Sequence, residues 1–238
     1  MKKNHEKLNL TKNYIDNKTF ILIDICGTYV KENTTTGLLL NHFSKFSIKG
    51  SIIRCLIYKF SPLRIFIFLM ENLTRKQILK KLLIFFFKDV SVKSLDKSAN
   101  DYAKKLLESK KNDNPAVINF IKKHIAKSKP IFISASLEPI VKAISLIEDI
   151  PYIASKIEYI DNKYTGRLIS DITGLKKYEL MNKFNLDLDK AKYYLITDNF
   201  EDLSLSCKSI ETLFITKKKN IFFLNKFLNK KNIKFYFF

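Results

Sequence analysis

Polar side chains follow three short apolar stretches of the sequence. Asp24 comes directly after "TFILI", Ser134 closes "PIFIS", and Asp198 follows "YYLIT". Stretches of this kind, short and rich in β-branched and aromatic residues, are typical of buried strands. A single polar residue after a strand can simply cap a turn. If the three strands are parallel neighbours, however, their ends meet at one edge of the sheet, which would place two carboxylates and a hydroxyl within reach of a common ligand.

The elements around these strand ends alternate between strand and helix patterns. After Pro115 the pattern predicts helices at 115–128, 137–148, 175–184 and 220–231, strands at 130–134, 192–197, 212–216 and 233–238, and a hairpin-like pair within 156–168. Such alternation predicts an α/β fold, a doubly wound, Rossmann-like parallel sheet with helices on both faces.

A helical insert is predicted after the first strand. From Thr34 to about Ser128 the apolar residues recur at helical spacing, and no convincing strand interrupts them. Thr74 and either Ser91 or Ser94 are the expected helix N-caps within this insert.

Four motifs occur in a characteristic order along the chain. They are "DICGT" (24–28), "FISAS" (132–136), the lysine of "GLKKYEL" (174–180) and "TDNFED" (197–202). In this order they resemble the motifs of the haloacid dehalogenase-like hydrolase superfamily, and in particular its phosphoserine-phosphatase-like branch. The helical insert lies where that branch carries a small helical cap. The resemblance therefore implies a core domain at 1–33 and 112–238 and an all-α cap domain at 34–111.

The resemblance implies a metal and a nucleophile at the strand ends. Asp24 would attack phosphorus and become an aspartyl-phosphate. Asp24, the backbone carbonyl of Cys26 and Asp198 would hold one Mg²⁺, a hard cation that prefers oxygen ligands. Asp202 would belong to the metal shell or orient the motif lysine; its alternative is a negative charge placed at a helix N-terminus.

The remaining implied residues bind the phosphoryl group. Ser134 would hydrogen-bond it, with Thr28 nearby, and a lysine would offset its charge in the transition state. Alignment of Gly174 with the family's glycine favours Lys177 for that lysine, with Lys176 as the alternative.

Cys26 departs from the family pattern. Phosphatases of this family usually carry a second Asp at this position, which protonates the leaving alcohol and later activates water. A thiol has an ordinary pKa of about 8.5 and forms only weak hydrogen bonds, so it is a poor replacement. General acid-base catalysis contributes roughly 10² to 10⁴ in rate. A tyrosine-phosphatase-type role for Cys26 is disfavoured because Glu32 stands where that loop needs arginine.

The residues at the start of the insert have two interpretations. Glu32, Asn33 and the threonines at 34–36 directly follow the first motif, so they could contact a substrate. Equally, one of the threonines could cap the first helix of the insert.

Three functions follow from these residues. The leading hypothesis is a Mg²⁺-dependent phosphomonoesterase acting on a small or lipid-linked phosphate. The first alternative is a non-catalytic or strongly weakened phosphate-binding relative. A carbon-halogen hydrolase is less favoured, because Asp198 would have no purpose where no phosphoryl charge must be offset.

The charge and cysteine content bear on partners and compartment. The 238 residues include 43 Lys and Arg against 23 Asp and Glu, a formal charge of +20. Only four are arginines and the lysines are spread along the chain, so no specific nucleic-acid site is expected. Three cysteines without metal-ligand spacing suit a reducing compartment, and with no recognisable signal peptide they predict a cytoplasmic protein.

The most hydrophobic part of the insert raises the question of a membrane. Residues 51–73 are interrupted by Arg54, Lys59, Pro62 and Arg64, which argues against a spanning helix. The clusters "RIFIFLM" and "LLIFFF" are interpreted first as the core of the cap. The neighbouring basic residues leave open a lipid-facing surface and peripheral membrane contact.

Overall fold

The computed structural model of the protein describes residues 19–43, 46–74, 77–109, 114–173, 188, 191–217 and 233–237. A seven-stranded sheet, in the order β4-β3-β2-β1-β5-β6-β7, forms its centre. The strands are β1 (Thr19–Ile23), β2 (Ser128–Leu137), β3 (Tyr152–Ile160), β4 (Lys163–Ser170), β5 (Tyr193–Thr197), β6 (Glu211–Thr216) and β7 (Ile233–Phe237). All neighbouring pairs are parallel except β3 and β4, which form the predicted antiparallel pair.

The helices lie mostly between β1 and β2. Those of this region are α1 (Thr34–His42), α2 (Ile48–Ile57), α3 (Pro62–Thr74), α4 (Ile78–Phe85), α5 (Val92–Glu108) and α6 (Pro115–His124). After β2 the described helices are α7 (Glu138–Glu148) and the short α8 (Leu203–Ser206). The predicted fold class is confirmed: a mostly parallel α/β sheet with a helical cap inserted after its first strand. The predicted helices at 175–184 and 220–231 lie outside the described residues, and the domain boundaries at 34 and 111 stay a prediction.

Strand β1 lies at the centre of the core. Its alternate side chains face opposite sides of the sheet and pack into different apolar layers. Ile21 and Ile23 belong to the larger apolar cluster, together with side chains of α1, α5 and α7. Phe20 and Leu22 belong to a second cluster on the other face, which includes Leu205 of α8. Both faces of the sheet are therefore covered, as a run of consecutive apolar residues in a parallel strand requires.

The larger cluster continues from the sheet into part of the cap. Leu38 of α1 and Leu95 and Ala99 of α5 are fully buried in the same cluster as Ile140 of α7. The cap helices α1 and α5 are thus anchored on the sheet layer by shared apolar packing.

Strand β2 is longer than predicted and irregular at its end. Ser134 pairs with Ala154 of β3, whereas Leu137 pairs with the next residue, Ser155, so two residues of β2 bulge out of the ladder. The Ser155 hydroxyl donates a hydrogen bond to the carbonyl of Ala135 (3.0 Å) and holds this bulge. Bulges commonly redirect side chains beside functional sites.

Two predicted helix caps differ from the structure, and one agrees. Ser91 caps α5 and accepts a hydrogen bond from the backbone N–H of Ser94. Thr74 is not an N-cap, because it is the last residue of α3 and its hydroxyl donates back to the carbonyl of Met70. The cap of α1 is Asn33, whose side chain accepts from the backbone N–H of Thr36 (2.9 Å), and not a threonine.

The two apolar clusters of the cap behave differently. In "LLIFFF" the side chains of Leu83, Ile84 and Phe87 are buried, as the prediction of a cap core requires. In "RIFIFLM" only Ile67 is buried, so the interpretation of that cluster as core is wrong for most of its residues. Within the described residues, α3 packs on α2 and α4 with the side that carries Ile67. None of the helices in the described part of the chain is long and apolar enough to cross a membrane.

Candidate active site

The carboxyl ends of β1, β2 and β5 open into one cavity under the helical cap. The cavity has a volume of about 500 Å³. Asp24, Cys26, Ser134 and Asp198 line it from the sheet edge, as their places after the strands predicted. The cap contributes the opposite wall, from the start of α1 and from α3 and α4: Asn33, Thr35, Thr36, Glu71, Gln77, Leu79, Lys80 and Leu83.

Asp24 is held at the end of β1. Its backbone N–H donates a hydrogen bond to the carbonyl of Ile196 (2.9 Å), which continues the pairing of β1 with β5. Asp24 is only 6% exposed to solvent although it lines the cavity. A nearly buried carboxylate that faces a cavity suits a reaction from which bulk water is excluded.

Asp198 lies directly over the backbone of the loop that follows β1. Gly27 has a φ of +77°, and a Cβ added there would overlap the Asp198 carboxylate. The hydroxyl of Thr28 donates a hydrogen bond to Asp198 Oδ1 (3.2 Å). Thr28 is itself fully buried, and its carbonyl accepts from the Asn114 side chain (3.4 Å). Glycine is therefore required at position 27 both by its φ and by the closeness of Asp198.

Thr28 and Asp202 do not line the cavity with the other predicted site residues. Thr28, predicted to bind substrate, instead holds Asp198 as described above. Asp202 is fully buried behind β5, where its Oδ2 accepts a hydrogen bond from the hydroxyl of Thr197 (2.7 Å). Both side chains thus contact the strand end that carries Asp198.

Cys26 carries a protonated thiol in this environment. Burial, together with the Asp24 and Asp198 carboxylates, raises the pKa of the Cys26 thiol to about 11. The backbone N–H of Thr34 and the hydroxyl of Ser136 act in the opposite direction but do not offset this rise. A thiol with this pKa stays neutral near pH 7, so it is neither a thiolate nucleophile nor a base.

A chain of hydroxyl groups links the cap to the bulge of β2. The hydroxyl of Thr34 donates to Ser136 Oγ (2.7 Å). The backbone N–H of Ser136 in turn donates to Ser134 Oγ (3.3 Å). Ser134 is fully buried although it lines the cavity wall, and this contact holds its hydroxyl oxygen in place.

Lys80 of α4 supplies a positive charge to the cavity wall. Its Nζ lies 2.8 Å from Asp171 Oδ1 and 2.8 Å from the hydroxyl of Thr173. Burial raises the pKa of Asp171, but the hydrogen bonds from Lys80 and Thr173 outweigh it and lower that pKa overall. Lys80 joins the cap to the segment just before the predicted motif lysine. Lys176 and Lys177 themselves lie outside the described residues.

Sequence reasoning did not identify Lys80 or Ser136 as site residues. Lys80 stands in an ordinary helical pattern, more than fifty residues from the nearest motif, and no local signal distinguishes it from Lys81. Ser136 lies within the motif "FISAS", and this position was the only sequence signal that could have identified it as a site residue. At the start of the insert, Asn33 caps α1 in place of the predicted threonine, and Asn33, Thr35 and Thr36 line the cavity. Contact of these residues with a substrate stays a prediction.

The donor set fits a magnesium ion better than a transition metal. In the part of the chain that the structure describes, no three His, Cys, Asp or Glu side chains lie together as metal ligands. Asp24 and Asp198 nevertheless line the same cavity, and both raise the pKa of the same thiol, so their charges lie close together. Mg²⁺ commonly binds one or two carboxylates and completes its shell with water, backbone oxygen and substrate phosphate.

No family model matches the sequence, and no curated protein matches it significantly. Solved structures do resemble the fold. A Bordetella pertussis Tohama I protein of unknown function matches with a TM-score of 0.67 at 15% identity, over 88% of this chain and 95% of that one. A HAD family hydrolase from Salmonella enterica serovar Typhi matches with a TM-score of 0.55 at 14% identity, over 83% of this chain and 62% of that one.

A phosphoserine phosphatase in its apo form also matches, with a TM-score of 0.53 at 14% identity, over 83% of this chain and 86% of that one. At these identities the likeness concerns the fold. The chain has the fold of the haloacid dehalogenase-like hydrolases, which phosphoserine phosphatase also has.

Proposed function

We propose that the protein is a Mg²⁺-dependent phosphomonoesterase that forms an aspartyl-phosphate on Asp24. The observation that carries this proposal is the meeting of Asp24, Ser134 and Asp198 in one cavity under the cap. The substrate class is a small or lipid-linked phosphate.

The proposed reaction begins at Asp24. One of its carboxylate oxygens attacks phosphorus, and the bond from phosphorus to the leaving alcohol breaks. Water then hydrolyses the acyl phosphate, which releases phosphate and restores Asp24. Ser134 donates its hydroxyl hydrogen to a phosphoryl oxygen, and the fixed direction of this side chain reduces the cost of orienting it.

Mg²⁺, held by Asp24, Asp198 and the backbone carbonyl of Cys26, would supply positive charge next to the phosphoryl oxygens. Thr28 positions Asp198 through its hydrogen bond. Asp202 acts behind the metal site by holding Thr197, the residue before Asp198. Lys177, or its alternative Lys176, remains the proposed motif lysine.

A weakened, phosphate-binding protein is the second candidate function. The observation that favours it is Cys26, a neutral thiol where a carboxylate would protonate the leaving alcohol. Leaving groups that depart as stable anions do not need that proton. The protein is therefore proposed to act faster on aryl and acyl phosphates than on alkyl phosphates.

The test is hydrolysis of an aryl phosphate by the purified protein with Mg²⁺ and with EDTA. We expect turnover with Mg²⁺ only, and complete loss in Asp24→Asn. The matched control is Asp101→Asn, which removes an exposed carboxylate from α5 and should retain wild-type turnover.

Two outcomes separate the candidates. Retained turnover in Asp24→Asn would exclude the aspartyl-phosphate mechanism. A wild-type protein that binds phosphate in a Mg²⁺-dependent manner but shows no turnover would overturn the enzyme proposal in favour of the binding protein.

A further inference from the structure

Helix α3 presents an apolar stripe to the outside of the molecule. Ile65, Phe66, Leu69 and Leu73 stand at the i, i+1, i+4 and i+8 spacing of one helix face. Their residue surfaces are 48%, 61%, 54% and 80% exposed, whereas Ile67 on the opposite side is 4% exposed. An amphipathic helix of a globular protein normally buries such a stripe.

The stripe continues into a groove formed with the two neighbouring helices. Leu63 is one turn before Phe66 on the same helix, and it lines a groove of about 470 Å³. The rest of this groove comes from α2, from α4 and from the residues directly after α4: Lys49, Ile52, Leu56, Leu82, Phe85, Phe86, Lys88 and Asp89. The stripe and the groove together form what we call the apolar face of the cap.

The charge around this face is strongly one-sided. Residues 46–89 contain nine Lys and Arg and two acidic residues, Glu71 and Asp89. Glu71 faces Arg64 at 3.6 Å, and Lys80 pairs with Asp171 on the side of the cavity. The positive charges still outnumber the negative ones around this face. Lys49, Lys88 and Asp89 are exposed at the groove itself. The ammonium groups of Lys49 and Lys88 lie 5.8 Å from the ring centres of Phe43 and Phe85, respectively.

The exposed apolar side chains and the excess of positive charge together indicate which kind of partner surface could cover this face. A second copy of the chain would bring the same excess of positive charge against itself, which opposes association. An anionic lipid surface accepts both features, because its headgroups attract the basic residues and its acyl boundary takes up the apolar side chains. With 13 residues, about 20 Å in length, α3 can lie along a bilayer surface but cannot span it.

We propose that the apolar face of the cap docks onto the surface of an anionic lipid bilayer. Ile65, Phe66, Leu69 and Leu73 enter the boundary between headgroups and acyl chains, while Lys49 and Lys88 contact the headgroups. Glu71, on the opposite side of α3, lines the candidate active site. Docking therefore leaves the cavity wall intact and does not depend on the proposed phosphatase activity.

The test is sedimentation of the full chain with vesicles of phosphatidylcholine alone or with roughly 30% phosphatidylserine. We expect binding that is at least tenfold tighter to the anionic vesicles. The variant Phe66→Ser/Leu69→Ser should weaken that binding at least tenfold, because two apolar side chains no longer leave water. Its melting temperature should stay close to that of the wild type, since both residues are exposed.

The matched control removes exposed apolar side chains that do not belong to the apolar face of the cap. Ile160→Ser/Ile169→Ser changes two residues of the β3–β4 pair that are 60% and 65% exposed, and it should bind as the wild type does. Equal weakening in this control would overturn the proposal.

Three other results would also overturn it. One is the absence of binding to anionic vesicles. In another, the variant Phe66→Ser/Leu69→Ser binds as the wild type does and about 0.5 M salt abolishes the binding. That result would indicate non-specific attraction by the net charge. The third is a wild-type dimer that this variant converts to a monomer, which would assign the face to a second copy.

Discussion

Strand β1 and helix α3 have similarly apolar sequences but opposite surroundings. The side chains at 20–23 in β1 are at most 1% exposed. In α3, the residues Leu63, Ile65, Phe66, Phe68, Leu69 and Leu73 are all at least 42% exposed. β1 has a paired strand on each edge and a packed layer on each face. Among the residues that the structure describes, α3 is covered on one side only. The apolar character of a segment therefore does not determine its burial, and the exposed segment is the one with a surface available for a partner.

Catalysis is proposed for the buried region, so the largest effect is expected at the loop after β1. Cys26→Asp should raise the turnover of alkyl phosphates by roughly 10² to 10⁴, because a carboxylic acid can protonate the leaving alcohol. Aryl phosphates should change much less. Steady-state kinetics with one substrate of each class measures the difference. If the variant leaves both classes equally slow, or if the wild type already hydrolyses an alkyl phosphate rapidly, Cys26 does not limit proton transfer.

A pair of phenylalanine substitutions tests the contrast in burial directly. Phe20→Ala in β1 should lower the free energy of unfolding by about 3 to 5 kcal/mol, the usual cost of removing a buried aromatic side chain. Phe66→Ala in α3 should change it by less than about 0.5 kcal/mol, because Phe66 is already 61% exposed. Denaturant unfolding of both variants gives the two values. A large loss in Phe66→Ala would show that α3 is covered in solution.

Gly27→Ala tests how closely the loop after β1 and the end of β5 are joined. The added methyl group would displace the Asp198 carboxylate, so Mg²⁺ affinity should fall at least tenfold by calorimetry. Strain from the positive φ should also destabilise the fold by roughly 1 to 2 kcal/mol.

Gly166→Ala is the matched control for that strain. Gly166 in β4 has a φ of +79°, but its neighbours are Phe85 and Lys88 instead of Asp198. It should lose similar stability and keep its Mg²⁺ affinity. Equal Mg²⁺ affinities in the two variants would contradict the role given to Asp198.

The smallest effect is expected where the cap meets the core through Lys80. Lys80→Met should lower the free energy of unfolding by about 1 kcal/mol or less near neutral pH, since the ion pair with Asp171 is partly exposed. The pKa of Asp171 is lowered in the folded protein, so the pair stabilises the fold above the ordinary pKa of about 4. That stability is lost as the pH falls through the lowered value.

Thermal unfolding of wild type and Lys80→Met across the acidic range measures this effect. The difference between them should shrink as Asp171 becomes protonated. Lys81→Met, an exposed neighbour on the same helix, should not differ from the wild type at any pH. A constant difference for Lys80→Met would mean that packing, and not the ion pair, accounts for its contribution.

The sequence by itself determined which described segments are strands and which are helices. It also determined at which strand ends the chemistry is proposed. Runs such as "TFILI" report a buried strand because strand and helix periodicities are properties of neighbouring residues. The polar residues after β1, β2 and β5 could be placed together because parallel strands end at a common edge. The structure brings Asp24, Ser134 and Asp198 to one cavity, as this reasoning predicted.

Only the tertiary structure decided which surfaces are covered and which distant residues meet. Lys80 and Asp171 lie 91 positions apart, and no local pattern relates them. The hydroxyl of Thr28 faces Asp198, 170 positions away, and not the cavity. The same periodicity that predicts α3 is compatible with a buried or an exposed face. The outcome depends on whether another element packs there, which is set by long-range contacts that a local sequence pattern does not contain.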